Sequence, residues 1–463
     1  MLSLELIDSG LVLAQRRGRD VEIIDEAPGM AVLEEQQTIT GVEARKRVRR
    51  QPLLAQSNYW RALSTAPLTR PSRLIQTTAD LAFAQADSML RGQDGEGVML
   101  AIPAGYSREQ LGLLLGVINE TGVPVVGLVD AALAACSLQS APPRILHLDL
   151  ELHQALLTVL EYAGGERGLK RSRYEIALQH GLLAIQQTWM HFIAEQFVRK
   201  TRFDPLHEAG SEQRLFDQLP EWLHALANDE RAVVSMEFSD RQLEVEIERA
   251  QLIAAAEPHY AELQRLVQGA RIAGMPIELR VSHQIAALPG LLDRFRALRD
   301  CEVQVLPRGA AALGTLEHES AIRRSPEALA LVYQLPIASV SGPTTAAEFE
   351  STPAPLRPTH VLFQGRAWRI SEQPLVIGWS VDGAGRALVL PAASPGISRA
   401  HCTLHRRNGA VLVEDHSTYG SFVNDERVAG RTALTVGDRL RLGSPGVTLE
   451  LIQMVSDDGA PQD

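Results

Sequence analysis

Apolar and polar positions alternate in two different rhythms along the chain, and the change falls near residue 336. Before it, buried-type strands and helical periods take turns. VMLAIPA at 98–104 is a continuous apolar run of strand length, and SREQLGLLLGVINETG after it repeats its apolar positions every three to four residues, as a helix does. Ser107 stands at the N-cap with Gln110 three residues on, a capping pair. VPVVGLV at 123–129 and DAALAACSL at 130–138 repeat the strand-then-helix order. RILHLDL and ALLTVLE read as two strands broken near 151–153, and long helical periods fill 181–200 and 248–270. Trp189, Phe192 and Phe197 have helical spacing and read as core. Such alternation predicts layered α/β structure over 1–335. No internal repeat is visible in the sequence.

Residues 336–358 lose all periodicity. They are rich in Pro, Ser, Thr and Ala and read as an extended linker, with Thr344, Thr345, Ser351 and Thr352 as hydroxyls open to phosphorylation. From 359 to 455 the rhythm is period two. Short runs such as LVIGWS, HCTLHR, AVLVED and TLELIQM are separated by Gly, Asp and Asn turns, and long helices vanish. That spacing predicts a small β-sandwich. Residues 456–463 form a polar tail.

The bulk numbers narrow the function classes. The chain has 463 residues, a net charge of −11 and 45% hydrophobic residues. The negative charge argues against general binding of nucleic acid or anionic membrane. No apolar run approaches the roughly 20 residues of a membrane span, and MLSLELIDSG has no basic start or cleavage pattern of a signal peptide. Cys136, Cys301 and Cys402 lie far apart, as suits reduced thiols in a cytoplasm, and form no metal-ligand cluster. His147, His153, His180, His191 and His207 show no metal spacing. Arg45, Lys46, Arg47, Arg49 and Arg50 cluster as a solvated helix face or a patch for an acidic partner.

Two resemblances extend this reading. Val376-Ile377-Gly378, Ser398-Arg399-Ala400-His401, Ser417, Gly420 and Val423-Asn424 resemble, in order and spacing, the turn motifs of forkhead-associated (FHA) domains. The resemblance implies an all-β sandwich that grips phosphothreonine at one end. It implies that Ser398 and Arg399 touch phosphate, that Asn424 holds the peptide chain, that Gly420 and Ser421 line the loop, and that Gly378 and His401 brace it. Two departures stand out. The family reads Gly-Arg where this chain has Gly378-Trp379, and Asn-Gly-Thr where it has Tyr419-Gly420-Ser421. Trp379 cannot replace a planar charged fork. It could instead anchor a phosphate-independent interface, and Arg386 in the next loop is a candidate to reach the site.

Residues 1–335 resemble actin-like ATPases, closest to the nucleotide-binding domain of DnaK-type (seventy-kilodalton heat-shock) chaperones. The likeness runs through Asp8 and Gly10 in LELIDSGLVLA, Gly41, Ala44 and Pro52, AIPAGYSREQ, GLVDAALAA, HLDLELHQALLTVLE and VQVLPRGAAALGTL. It implies a two-lobed, ribonuclease H-like fold with ATP and magnesium between two hairpins at Asp8, Gly10 and Asp149. The second hairpin departs from the family's glycine-rich loop: Asp149 survives, but Leu150-Glu151-Leu152-His153-Gln154 has no glycine. Leu11 stands where a Thr is usual, and Ser282-His283 replaces a glycine pair. Two readings stay open. One is a pseudo-ATPase scaffold joined to a protein-binding FHA domain, a cytoplasmic adaptor with a phosphothreonine-bearing partner. The other is an active ATPase with an FHA regulatory arm. Asp130 is an acid near the expected cleft without an assigned role. Where a chaperone would continue with its peptide-binding part, the FHA-like segment follows instead.

Overall fold

A computed structural model describes residues 1–139, 144–162, 168–239, 241–271, 276–325, 328–336, 358–363, 366–381, 386–390, 396–407, 410–424, 426–428, 430–443 and 446–453. The linker hydroxyls Thr344, Thr345, Ser351 and Thr352 and the tail 456–463 lie outside them. The chain divides into two compact units, Met1–Gly342 and Pro343–Asp463.

The first unit is mixed α/β, and two of its sheets share one order over five strands, the sixth being added at opposite ends. In one sheet the strands run Leu331–Val332, Val125–Asp130, Val98–Ile102, Leu2–Glu5, Leu11–Arg17, Asp20–Ala27. In the other they run Cys301–Val305, Ile277–Val281, Arg144–Leu150, Gln154–Tyr162, Leu169–Leu178, Gln334–Leu335. Each begins as a three-stranded antiparallel meander, and its first strand then takes a parallel neighbour on the opposite side. That strand pairs in parallel with the next. A duplication absent from the sequence is therefore plain in the topology, because hydrogen-bond order constrains a sheet more tightly than residue identity does. Each hairpin turn of interest joins the first two strands of its meander, at 6–10 and 151–153.

Strands Val98–Ile102 and Arg144–Leu150 are buried on both faces, which is why they read as unbroken apolar runs. Ser107 accepts the Gln110 N–H at 3.1 Å and the Gln110 side chain accepts the Ser107 N–H at 3.0 Å, so the capping pair starts helix Arg108–Glu120. The helical period at 248–270 is two helices, Arg249–Ala255 and Glu257–Gly269, parted at Ala256. Pro258, lacking an N–H, is tolerated only in the first turn of the second. Helix Ala209–Asn228, with Pro220 inside it, falls where the sequence reading named no element. Among the described residues no helix is long and apolar enough to cross a membrane.

The second unit is a sandwich of a six-stranded and a five-stranded sheet. Leu375 and Ile377, Cys402 and Leu404, Val411 and Val413, Leu440 and Leu442, and Leu449 and Leu451 point alternately inward and are buried. Period two thus becomes one shared core. In the five-stranded sheet, Leu375–Gly378 lies between Ala387–Val389, in parallel, and Cys402–Arg407, antiparallel. The end of Leu375–Gly378 and the loops at 396–401 and 416–420 carry the site.

Candidate functional site

The loops of the sandwich are organised by His401. Its ring is fully buried, and burial holds its pKa below the ordinary histidine value. Nδ1 accepts the Ser398 N–H at 3.0 Å, which places the proton on Nε2, and Nε2 donates to the Gly420 carbonyl at 3.1 Å. One neutral imidazole therefore ties two loops together. The Ser398 hydroxyl accepts the Thr418 N–H at 3.3 Å across the same gap. Gly378 is required by close approach: a Cβ there would lie 1.8 Å from the Arg399 carbonyl oxygen. The Ser380 N–H donates to that same oxygen at 3.2 Å.

Ser398 is half-buried and Arg399 exposed, side by side. The Arg399 guanidinium carbon lies 5.6 Å from the centroid of the Trp379 ring. Trp379 is half-buried and packs against the sandwich core rather than projecting as a free anchor. Arg386 does not turn to this rim. Its guanidinium donates to the Ser371 hydroxyl and to the carbonyls of Arg369 and Gln373.

Two residues assigned by resemblance have other employment. Ser421 is fully buried, and its hydroxyl donates to Asp415 Oδ1 at 2.8 Å. Ser417 donates to the same oxygen at 2.8 Å and accepts the Gly420 N–H at 2.7 Å. Burial would raise the Asp415 pKa, but the hydrogen bonds from Ser417 and Ser421 outweigh it and hold it low. Asn424 adopts φ 50°, in the left-handed region its side chain tolerates. Its Oδ1 accepts the Arg439 N–H at 3.0 Å and its Nδ2 donates to Asp438 at 2.8 Å. Both ends of that amide hold the chain's own turn. Thr418 and Tyr419, the latter 58% exposed, form the outer edge of the loop instead. Tyr419 was visible as a departure from the family pattern and Thr418 was not singled out, and the outward orientation of neither was legible.

In the first unit the structure brings Asp8, Gly10 and Asp149 to facing hairpins, and the hairpins bond to each other. Asp8 Oδ1 accepts the Leu152 N–H at 2.7 Å. The Ser9 hydroxyl reaches the Leu150 carbonyl and the Gln284 side-chain oxygen. The Gly10 N–H is taken by the Ile7 carbonyl, and the Glu151 N–H by that of Gln154. Leu152 is fully buried. Phosphate loops work by leaving amides free to face oxygens, and here these amides are occupied. Above Gly10, a Cβ would meet Glu26 Oε1 at 2.9 Å and Gln284 Nε2 at 3.0 Å. Glu26 in turn pairs with Arg308.

Carboxyls crowd this junction. Burial, reinforced by the nearby Asp149 charge, pushes Glu5 up to about 8. Burial likewise pushes Asp8 up to about 7, and raises Glu151 well above the carboxylate range. Asp130 caps helix Ala131–Cys136 through the Leu133 N–H and pairs with Arg171 at 2.7 Å, a structural role. Among the described residues no group of three or more His, Cys, Asp or Glu is placed to hold a metal.

The basic cluster is not simply a solvated face. The guanidinium carbons of Arg45 and Arg49 lie 4.6 and 4.9 Å from the Phe216 ring centroid. Arg49 pairs with Glu212 at 3.2 Å and Arg45 with Asp217 at 3.7 Å. Gln213, fully buried, binds the Arg49 N–H and the Arg45 carbonyl. The cluster thus clamps the 41–50 segment onto helix Ala209–Asn228, while Lys46 stays outside, paired with Glu43.

No curated protein matches the chain. Residues 375–443 match the family model of the FHA domain, and this segment, which holds Gly378, Ser398, Arg399, His401 and Gly420, is an FHA domain, a phosphoprotein-binding interaction module.

Proposed function

We propose that the chain is a cytoplasmic adaptor whose FHA domain binds a protein partner through phosphothreonine. In this reading an actin-like domain spans 1–335, a linker 336–358 and the FHA domain 359–455, and the first domain serves as a scaffold without nucleotide turnover. The observation that carries the first part is the rim at Ser398 and Arg399. A hydroxyl and an exposed guanidinium stand together there, fixed from behind by the two hydrogen bonds of His401. A phosphoryl group needs such convergent donors, with positive charge among them. Ser421 and Asn424 act in this proposal as supports of the loop, and Gly420 supplies the carbonyl that anchors His401.

The scaffold reading is supported by the duplicated sheet with its two facing hairpins, and by direct bonds between those hairpins where phosphates would lie. ATP with magnesium remains the second reading, favoured by one observation. A hollow of about 440 Å³ beside Ser9, Gly10 and Leu152 is large enough for a small ligand.

Two measurements test these parts separately. Capture of a degenerate phosphothreonine peptide pool by the full chain, against the unphosphorylated pool, addresses the rim. Phospho-dependent capture weakened by Ser398→Ala and by Arg399→Ala supports it, and equal capture of both pools overturns it. Thermal melting with and without magnesium-ATP addresses the scaffold. A ligand that binds only the folded state raises its melting temperature. No rise is expected, and a rise cancelled by Asp8→Ala returns the ATPase reading.

A further inference from the structure

Two residues after Ile377, where the family has an arginine, the chain has Trp379, and the exposed Arg399 lies beside it. We propose that Trp379 is a positioning residue: its indole face holds the Arg399 guanidinium as the charged phosphate fork. This rests on the reading that the rim binds phosphothreonine.

The backbone sets the arrangement before any side chain is considered. The Trp379 N–H reaches toward the Ser398 carbonyl at 3.4 Å, and the Ser380 N–H donates to the Arg399 carbonyl at 3.2 Å. Gly378 lies so close to Arg399 that no Cβ fits between them. Residues 378–380 and 398–399 are therefore laced together, and the Trp379 side chain is carried to a fixed place beside Arg399. Its own position is settled by packing on the sandwich core.

The contact type matters. A guanidinium held over an aromatic face by its charge has no need to use its N–H donors on that partner, so they stay available. A carboxylate partner would consume those donors and cancel the charge. Among the described residues the Arg399 side chain has no hydrogen-bond or ion-pair partner, and its guanidinium carbon lies over the Trp379 ring, 5.6 Å from the centroid. An exposed arginine otherwise loses much rotamer freedom when it binds. The contact with the ring takes part of that loss in the free protein, so less falls on ligand binding. Trp379 thus has a use that neither core packing nor a bare docking anchor accounts for.

The test uses the full chain and a nonapeptide pool with phosphothreonine at its centre, read by fluorescence anisotropy. Trp379→Leu keeps an apolar filler and removes the π face, whereas Trp379→Phe keeps a ring. Trp379→Leu is expected to weaken binding about three- to tenfold, and Trp379→Phe to recover part of it. In an Arg399→Ala background, Trp379→Leu is expected to change nothing more. A merely structural role would weaken binding in both backgrounds. The inference is overturned if Trp379→Leu costs the same with or without Arg399, or costs nothing. If the unmutated chain shows no preference for the phosphorylated pool, the functional reading falls and takes this inference with it. Binding that depends on Arg399 but not on Trp379 sinks this inference alone.

Discussion

At the residue scale, identical side-chain types meet opposite fates in neighbouring loops. Ser398 stays half-exposed on the rim, while Ser421 turns inward to Asp415. Sequence placed both among hydroxyls fit for phosphate, since a serine in a turn reads alike whichever way it points. Gly378 and His401 were better readable, because each answers a steric or bonding demand that few residues meet. Their removal gives two clear predictions. Gly378→Ala puts a methyl group 1.8 Å from a carbonyl oxygen, so the 378–380 and 398–401 segments must part. The FHA unit is expected to lose several kcal/mol, on the order of the largest single-substitution effects, seen as a lower denaturation midpoint. A midpoint unchanged in Gly378→Ala would show the close approach to be wrong. His401→Ala removes both bonds of a buried ring and leaves a cavity, and should cost about 2–4 kcal/mol by the same assay. The sign of its pH dependence follows from its lowered pKa. The folded state resists protonation, so the contribution is full above the ordinary histidine value of 6.5 and is lost as pH falls below it. Unmutated protein should therefore soften below pH 6.5 more than His401→Ala does.

At the element scale, the two hairpins of the first unit decide how its cleft behaves. Their location was legible from the break between RILHLDL and ALLTVLE and from the Asp-x-Gly turn at Asp8. Their mutual bonding was not, because it joins residues far apart in the chain, as for Asp8 and Leu152, 144 positions apart. A long separation likewise hid the clamp of Arg45 and Arg49 on Phe216, which a local reading treats as solvated charge. The buried carboxyls make a testable consequence. Glu5 moves from an ordinary 4.5 to about 8 and Asp8 from 3.8 to about 7. The folded state holds protons that the unfolded chain has released, so the stability they confer is full near pH 4 and lost as pH rises through 7 to 8. Histidines with lowered pKa values act in the opposite sense, but only below about 6.5. Between pH 6.5 and 8, stability of the first unit should fall, by at most about 1.4 kcal/mol per pH unit for each group. Urea unfolding followed across that window checks it. Glu5→Gln should flatten the slope, and stability that rises with pH would contradict the burial of these acids.

At the scale of the whole molecule, period two against period three-and-a-half located the β sandwich and the α/β unit, since binary patterning records which face of each element meets a core. The duplication of the sheet was illegible, as similar backbones had been filled with different side chains. In the proposed reading the rim at Ser398 and Arg399 binds a partner, while the hairpins of the first unit bond to each other. Calorimetric titration of the full chain with the tightest-binding phosphothreonine peptide, its unphosphorylated twin and the Arg399→Ala variant tests this most directly. The account predicts heat of binding for the phosphorylated peptide alone, with affinity falling at least tenfold in Arg399→Ala. Equal binding of both peptides, or affinity untouched by Arg399→Ala, would contradict it.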